Sequence, residues 1–292
     1  MTHPKVKFDY SQEKDIWNLR IGLETAHKSR QSDWELRQII QQCGQSPSEK
    51  DLQEYLNLKW EKKSQIMDML ISDLQGYGDS IEGEFFDCLA NRTQLSSFFE
   101  VKEIKGFFSA RYGCGYNYAE NYFAVSIHNS VLKNTQVAMH EIMHIFFHKQ
   151  WQGFCLDRGL SDKDFWNVKE AMTVLLNLWF KNQLVEYDWG YEEHVALRKF
   201  IQEKFIESQD FKKTLAQTCE YIKSHQEKSL AHNEVYSSKL NKDFHYFEEG
   251  ELESLLAGFD IIELLEYETH DVHPPEGGHK HWTFDVVARK IN

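Results

Sequence analysis

The segment at positions 137–147 reads Val-Ala-Met-His-Glu-Ile-Met-His-Ile-Phe-Phe, so three ionisable side chains lie inside an otherwise apolar run. A helix that is apolar on nearly every face must be buried. Buried imidazoles and a buried carboxylate then need partners, because stranding polar groups in an apolar interior is costly. His140 and His144 stand at i and i+4, about 40° apart around a helix axis, which lets both rings reach one metal ion. Glu141 points to the side, where it can contact a water at that ion without being a ligand. With 14 histidines in 292 residues, roughly 6% of shuffled sequences would hold H-E-x-x-H by chance. The apolar flanks lower that further. The competing account is three polar residues satisfied by ordinary hydrogen bonds.

The chain is long enough for one large domain or two smaller ones with real cores, and its aromatic content of 14% is that of a globular protein. A formal net charge of −13 argues against a nucleic-acid backbone or an anionic membrane as the main partner. The opening MTHPKVKFDYSQEKD has no apolar core or small-residue cleavage site, so no signal peptide is expected. No run approaches the length of a membrane span. Five cysteines, an odd number with no C-x-x-C pair, suit reduced thiols in a cytoplasm and fail as a zinc-finger set.

The first eighty residues read as helices. Gly44 closes one, and Ser46-Pro47-Ser48-Glu49 opens the next, with Ser46 as N-cap, Pro47 at the first helical position and Glu49 completing a capping box. Leu52, Leu56, Met67, Leu70 and Leu74 mark one apolar stripe. Between 96 and 128, the segments 97–101, 106–110 and 122–127 are short, aromatic and β-branched, and predict a small antiparallel sheet. The motif helix is expected over about 135–149, capped by Asn134 or Thr135. Ser161 and Asp164 predict a capping box for a second helix that runs on to Phe180, and more helix follows over 192–226. A helix over 248–257 and strands over 259–267 and 282–288 are expected near the end, joined by a Pro-Gly loop.

Two histidines do not complete a catalytic zinc site; a third protein ligand is expected, with the fourth place left open. His148 is a poor third ligand, since it lies about 80° from His140 and some 12 Å up the helix axis. Glu170 is better. It sits in Lys169-Glu170-Ala171-Met172-Thr173-Val174-Leu175-Leu176-Asn177, an apolar helical stretch, and the 25 residues separating it from His144 suffice for a loop and a returning helix. Pairing with Lys169 or Arg158 is the competing explanation for its burial. With this glutamate after His-Glu-x-x-His, the chain over roughly 120–185 resembles the gluzincin class of zinc metallopeptidases. The resemblance implies Zn2+ held by His140, His144 and Glu170, with Glu141 as general base. It also implies a strand near 121–128 that offers its edge to an extended peptide. Many gluzincins carry an acidic residue one turn after the glutamate to orient a histidine; here that position is Val174. Tyr191 and His194 follow the glutamate helix and are candidate donors to a developing oxyanion.

Residues 244–292 resemble the closing segment of class I S-adenosylmethionine-dependent methyltransferases of the tellurite-resistance type, in which a Gly-Glu-Leu helix leads to a strand and a hairpin ends in Ala-Arg-Lys. The nearest glycine-rich string, Tyr112-Gly113-Cys114-Gly115-Tyr116, lacks the acidic strand end before it and the helix pattern after it. His270, His273, His279 and His281 crowd the tail's loop, where a polar loop is expected rather than a second metal site. The expected whole is α+β, with a mainly helical zincin-like core over 1–232, a small antiparallel sheet and an αββ segment over 233–292. The expected function is a cytoplasmic zinc-dependent peptidase that hydrolyses peptide bonds with a metal-activated water, acting on a peptide or protein, with no nucleic-acid or membrane partner. The alternatives are a non-catalytic zinc-binding or regulatory protein and a methyltransferase relative lacking its cofactor-binding half.

Overall fold

Lys5-Val6-Lys7-Phe8-Asp9 alternates charged with apolar side chains, and it forms a strand, β1 (Lys5–Asp9), whose Val6 and Phe8 are buried while the other three are exposed. The computed structural model describes residues 3–24, 33–61, 64–93, 101–181, 184, 187–224, 259–271 and 279–290. After β1 come helices α1 (Gln12–Glu24), α2 (Trp34–Cys43), α3 (Glu49–Trp60) and α4 (Ser64–Thr93), then strands β2 (Glu103–Ser109), β3 (Tyr116–Asn117) and β4 (Tyr122–Ser126). Helices α5 (Val131–Leu156), α6 (Asp162–Met172), α7 (Val174–Trp179) and α8 (Val195–Ser208) follow, and residues 211–224 form a further helix, α9. Strands β5 (Phe259–Asp271) and β6 (His279–Lys290) come last. The fold class is α+β, as the sequence implied. Spatially the chain divides into two compact units, Met1–Glu227 and Lys228–Asn292.

The sheet of the first unit is mixed rather than antiparallel. Its order is β1-β2-β4-β3, with β1 parallel to β2, β2 parallel to β4, and only β3 antiparallel to β4. The reason is that β3 pairs on the far side of β4, which leaves β2 beside β4 in the same direction. Every residue of β4 is buried, the continuous pattern of an interior strand. β3 pairs only with Tyr122 and Phe123, so among the described residues β4 has no strand partner on that side over 124–126. The other edge, β1, is covered by side chains of α4: Glu82 accepts from the Val6 amide at 2.7 Å, and Gln75 both accepts from the Phe8 amide and donates to the Val6 carbonyl at 2.9 Å. Within the sheet Phe8, Gly106 and Phe123 form one row, and the two phenyl rings meet edge to face at 6.1 Å over the glycine.

Two apolar clusters result. The larger joins β1, β2 and β4 with α4 through α9; the smaller holds Ile16, Leu19, Leu36, Ile39, Leu52 and Leu56 of α1–α3. The expected stripe of leucines is therefore divided. Leu52 and Leu56 belong to the smaller cluster, while Met67 and Leu74 are buried in the larger one.

Several boundaries differ from expectation for local reasons. Ser48, not Ser46, caps α3, and Asp51 rather than Glu49 closes the reciprocal box. Helix α5 begins earlier than expected, with Ser130 accepting from the Lys133 amide. Asn134 instead pins the end of β4, accepting from the Ser126 amide at 3.1 Å and donating to its carbonyl at 2.7 Å. The Ser161–Asp164 capping box is present, but the helix it opens breaks at Thr173, between α6 and α7. Helix after 192 is interrupted too, by the left-handed Gln209 between α8 and α9. Residues 97–100 of the first expected strand lie outside the described residues.

In the second unit β5 and β6 pair antiparallel from Phe259 opposite Lys290 to Asp271 opposite His279, with an irregularity between Ile261 and Glu263. Both strands are longer than expected. The expected helix over 248–257, the Pro-Gly loop and His273 lie outside the described residues.

A methyl group on Gly106 would stand 2.6 Å from the Phe8 ring and 2.9 Å from that of Phe123, far inside van der Waals contact. Gly106→Ala is expected to destabilise the protein by about 1–3 kcal/mol through overpacking, measured by urea unfolding.

Candidate metal centre

Helix α5 carries His140 and His144 on one face, their rings edge to face with centroids 4.3 Å apart. The chain then turns back: Gly159 adopts φ +83, its amide donates to the Leu156 carbonyl at 2.8 Å and the Leu160 amide to Cys155 at 3.3 Å, a C-terminal stop of the kind glycine permits. Two residues later the Ser161 cap starts α6, which packs on α5. Its Glu170 meets both imidazoles. Glu170 Oε2 lies 3.2 Å from His144 Nε2 and 3.7 Å from His140 Nε2, and one ligand atom from each of the three residues falls within 4.8 Å of the others. Tetrahedral zinc with bonds of about 2.0–2.1 Å spaces its donor atoms about 3.3 Å apart, so these separations suit a shared ion after small adjustments.

Glu170 Oε1 is occupied by Lys169 Nζ at 2.6 Å. The pairing anticipated as a rival explanation is thus real for Lys169, though it uses only one carboxylate oxygen. Arg158 plays no part; it donates to the Phe154 carbonyl at 3.2 Å.

His140 has an acidic partner from a loop farther along the chain. Asp188 Oδ1 sits 3.3 Å from His140 Nδ1, leaving Nε2 turned towards Glu170, the arrangement that fixes the orientation of a metal-bound imidazole. Asp188 is itself clamped. Its amide donates to Asn177 Oδ1 at 2.8 Å, its carbonyl accepts from Asn177 Nδ2 at 2.9 Å, and Arg198 bonds both its carbonyl and its carboxylate. Arg198 also reaches Thr173 Oγ1 at 2.8 Å and the Glu170 carbonyl at 3.4 Å, tying this loop to the break between α6 and α7. Gly190 has φ +66, and a Cβ there would meet the Arg198 guanidinium at 2.7 Å. Only glycine fits on both counts. Sequence reasoning missed Asp188 and Arg198; the sole local hint was Asp188-Trp189-Gly190, an acid two residues before a turn glycine.

Charges in this pocket perturb one another. Burial pulls the His140 imidazolium down, but Asp188 and Glu170 outweigh it and raise its pKa to about 10. Burial lowers His144 to about 3, aided by the Lys169 and His140 charges. Glu170 and Asp188 are both held well below the usual carboxylate range despite burial, the first by His144 and His140, the second by His140 and Arg198. Glu141 goes the other way. Burial raises it to about 7, with the His140 charge opposing and that of Glu170 assisting. Its Oε2 is buried and has no hydrogen-bond partner among the described residues, which marks a place where a polar group from outside belongs.

His148 stands outside this group. Its Nε2 pairs with the Tyr116 hydroxyl at 2.8 Å, and its ring stacks on Tyr118. Tyr191 is half exposed; burial, then the negative charges of Glu170 and Glu141, raises its hydroxyl to about 12, so it lies within electrostatic reach of the centre. His194 is buried, and its Nε2 is taken by Asn167 Oδ1 at 3.1 Å. The string 112–116 lies between β2 and β3 and leads into a strand and turn, unlike a cofactor loop that opens a helix. A wide surface depression of about 490 Å³, lined among others by Lys14, Trp17, Arg20 and Tyr122, shares no residue with the centre. All five cysteines are free, Cys155 and Cys219 facing each other at 3.9 Å. No helix among the described residues is long and apolar enough to cross a membrane.

No protein-family model, curated protein or solved structure matches this chain.

In the metal-free protein, a His140 pKa raised from 6.5 to about 10 stabilises the fold fully below pH 6.5 and loses that contribution as pH rises to about 10. Urea unfolding of metal-free protein should therefore report falling stability across this window, with a flatter profile for Asp188→Asn. Equal slopes would remove the ion pair as its cause.

Proposed function

We propose that the chain is a zinc-dependent peptidase in which His140, His144 and Glu170 hold the metal and Glu141 is the general base. The observation that carries this reading is the convergence of one donor atom each from His140, His144 and Glu170 within 4.8 Å of one another, with Glu141 next to His140 in the chain. When bound, zinc supplies a Lewis acid that polarises a carbonyl and makes water acidic near neutral pH. The residues supply the rest. Glu141 is the carboxylate that would accept a proton from that water and return it to a leaving amine. Asp188 keeps the His140 ring oriented, and Arg198 with Asn177 keeps Asp188 in place. Of the two expected oxyanion donors, Tyr191 is half exposed, while His194 Nε2 already bonds Asn167. The substrate class is a peptide or protein, and the cytoplasm is the compartment that reduced cysteines suit.

A second reading is favoured by a specific feature. Lys169 and a protonated His140 can balance Glu170 and Asp188 without any ion, and among the described residues His144 Nδ1 is buried without the partner that metal-bound imidazoles normally have. On that reading the cluster is a structural or regulatory site without turnover.

Glu141→Gln separates the two. A peptidase should lose about 10²–10⁴-fold in kcat on a mixed peptide library while binding one zinc per chain as wild type does, and His140→Ala should lose the metal. Wild type that takes up no zinc, or a Glu141→Gln variant that cleaves as fast as wild type, overturns the peptidase.

A further inference from the structure

We propose that Lys169 is a positioning residue that restricts Glu170 to a single metal-facing oxygen and so keeps a coordination place open, a role that presupposes the metal centre above. The two oxygens of Glu170 have separate tasks. Oε2 faces His144 at 3.2 Å and His140 at 3.7 Å, while Oε1 receives Lys169 Nζ at 2.6 Å. Adjacent residues of a helix point about 100° apart, and such neighbours do not ordinarily face each other. Both side chains must bend to meet, so tertiary packing, not helix geometry, makes this pair.

That packing is visible. Lys169 is only 1% exposed, and its ammonium lies over the ring of Tyr116 at 4.7 Å and that of Trp166 at 5.6 Å. Two aromatic faces attract the cation and exclude water from it. Buried so, the ammonium depends on a carboxylate partner, and Glu170 Oε1 is that partner in the structure.

The consequence for a bound ion follows from carboxylate chemistry. A carboxylate ligates with one oxygen or with both. With both, Glu170 and two imidazoles would provide four donor atoms, and a water or substrate group could enter only by expanding the set to five. With one, they provide three, and the fourth place stays open for a water or a substrate group. An ammonium 2.6 Å from Oε1 uses that oxygen's lone pair in a charge-assisted hydrogen bond and repels a dication that approaches it. Lys169 touches no ligand place itself; it acts through Glu170.

Cobalt tests this, because its visible bands report coordination number. Lys169→Met keeps the bulk and removes the charge. Expected is a loss of visible-band intensity relative to cobalt-loaded wild type, as Oε1 joins the three donors and the bound water and the centre becomes five-coordinate. Cobalt should still bind, with affinity lowered by no more than about 100-fold and the helical circular dichroism unchanged. A purely structural lysine would instead cost affinity or folding and leave the spectrum of any bound cobalt as it was. That result overturns the proposal. Should the variant not fold, X-ray absorption of zinc-loaded wild type decides: one carboxylate oxygen in a four-coordinate shell supports it, and two overturn it. Wild type that takes up neither metal removes the metal centre and this role together, whereas uptake with an unchanged Lys169→Met spectrum removes this role alone.

Discussion

The approach of Glu170 to two imidazoles across the α5–α6 interface is the interaction on which the rest of the centre depends. A carboxylate inside an apolar helix pair would be expelled or protonated without cationic or hydrogen-bonding partners. Here it has three: His140, His144 and Lys169. Because α5 and α6 are connected by a tight glycine stop and a capping box, their mutual placement is set by packing of residues such as Phe147 against Phe165. The polar cluster is therefore located by the apolar one.

The support extends outward by hydrogen bonds rather than by further apolar contact. Asp188 orients His140, Asn177 brackets the Asp188 backbone, and Arg198 links that loop to Thr173 and to the Glu170 carbonyl. Four separate chain segments thus converge: α5, α6, the α7 region with its following loop, and α8. Such a network is rigid only when each member is satisfied. Two buried atoms here, Glu141 Oε2 and His144 Nδ1, have no hydrogen-bond partner among the described residues.

Much of this was legible in the chain itself. The His-Glu-x-x-His spacing placed two imidazoles on one helix face, and a glutamate in an apolar helix was conspicuous enough to single out Glu170. The alternation of Lys5 to Asp9 was equally plain, yet a run of helical signals around it hid the strand. The antiparallel expectation for the sheet failed because strand direction depends on which side of β4 each neighbour occupies, and no local pattern encodes that. Asp188 was illegible for a related reason. It lies in a loop, 18 positions after Glu170, and its role exists only where that loop passes His140.

Periodicity and residue chemistry by themselves determined that a buried helix would hold two histidines and a glutamate, that a following helix would begin at Ser161, and that the class would be α+β. These are properties of single segments, fixed by helix geometry and by the cost of burying polar groups. Only the tertiary structure decided that Lys169 would share Glu170 with the histidines, that Asp188 would pair with His140, and that β2 would lie parallel to β4. Each of these is a meeting of segments distant in sequence or of neighbours bent together by packing, and such meetings are set by how the apolar faces close, not by any one segment's pattern.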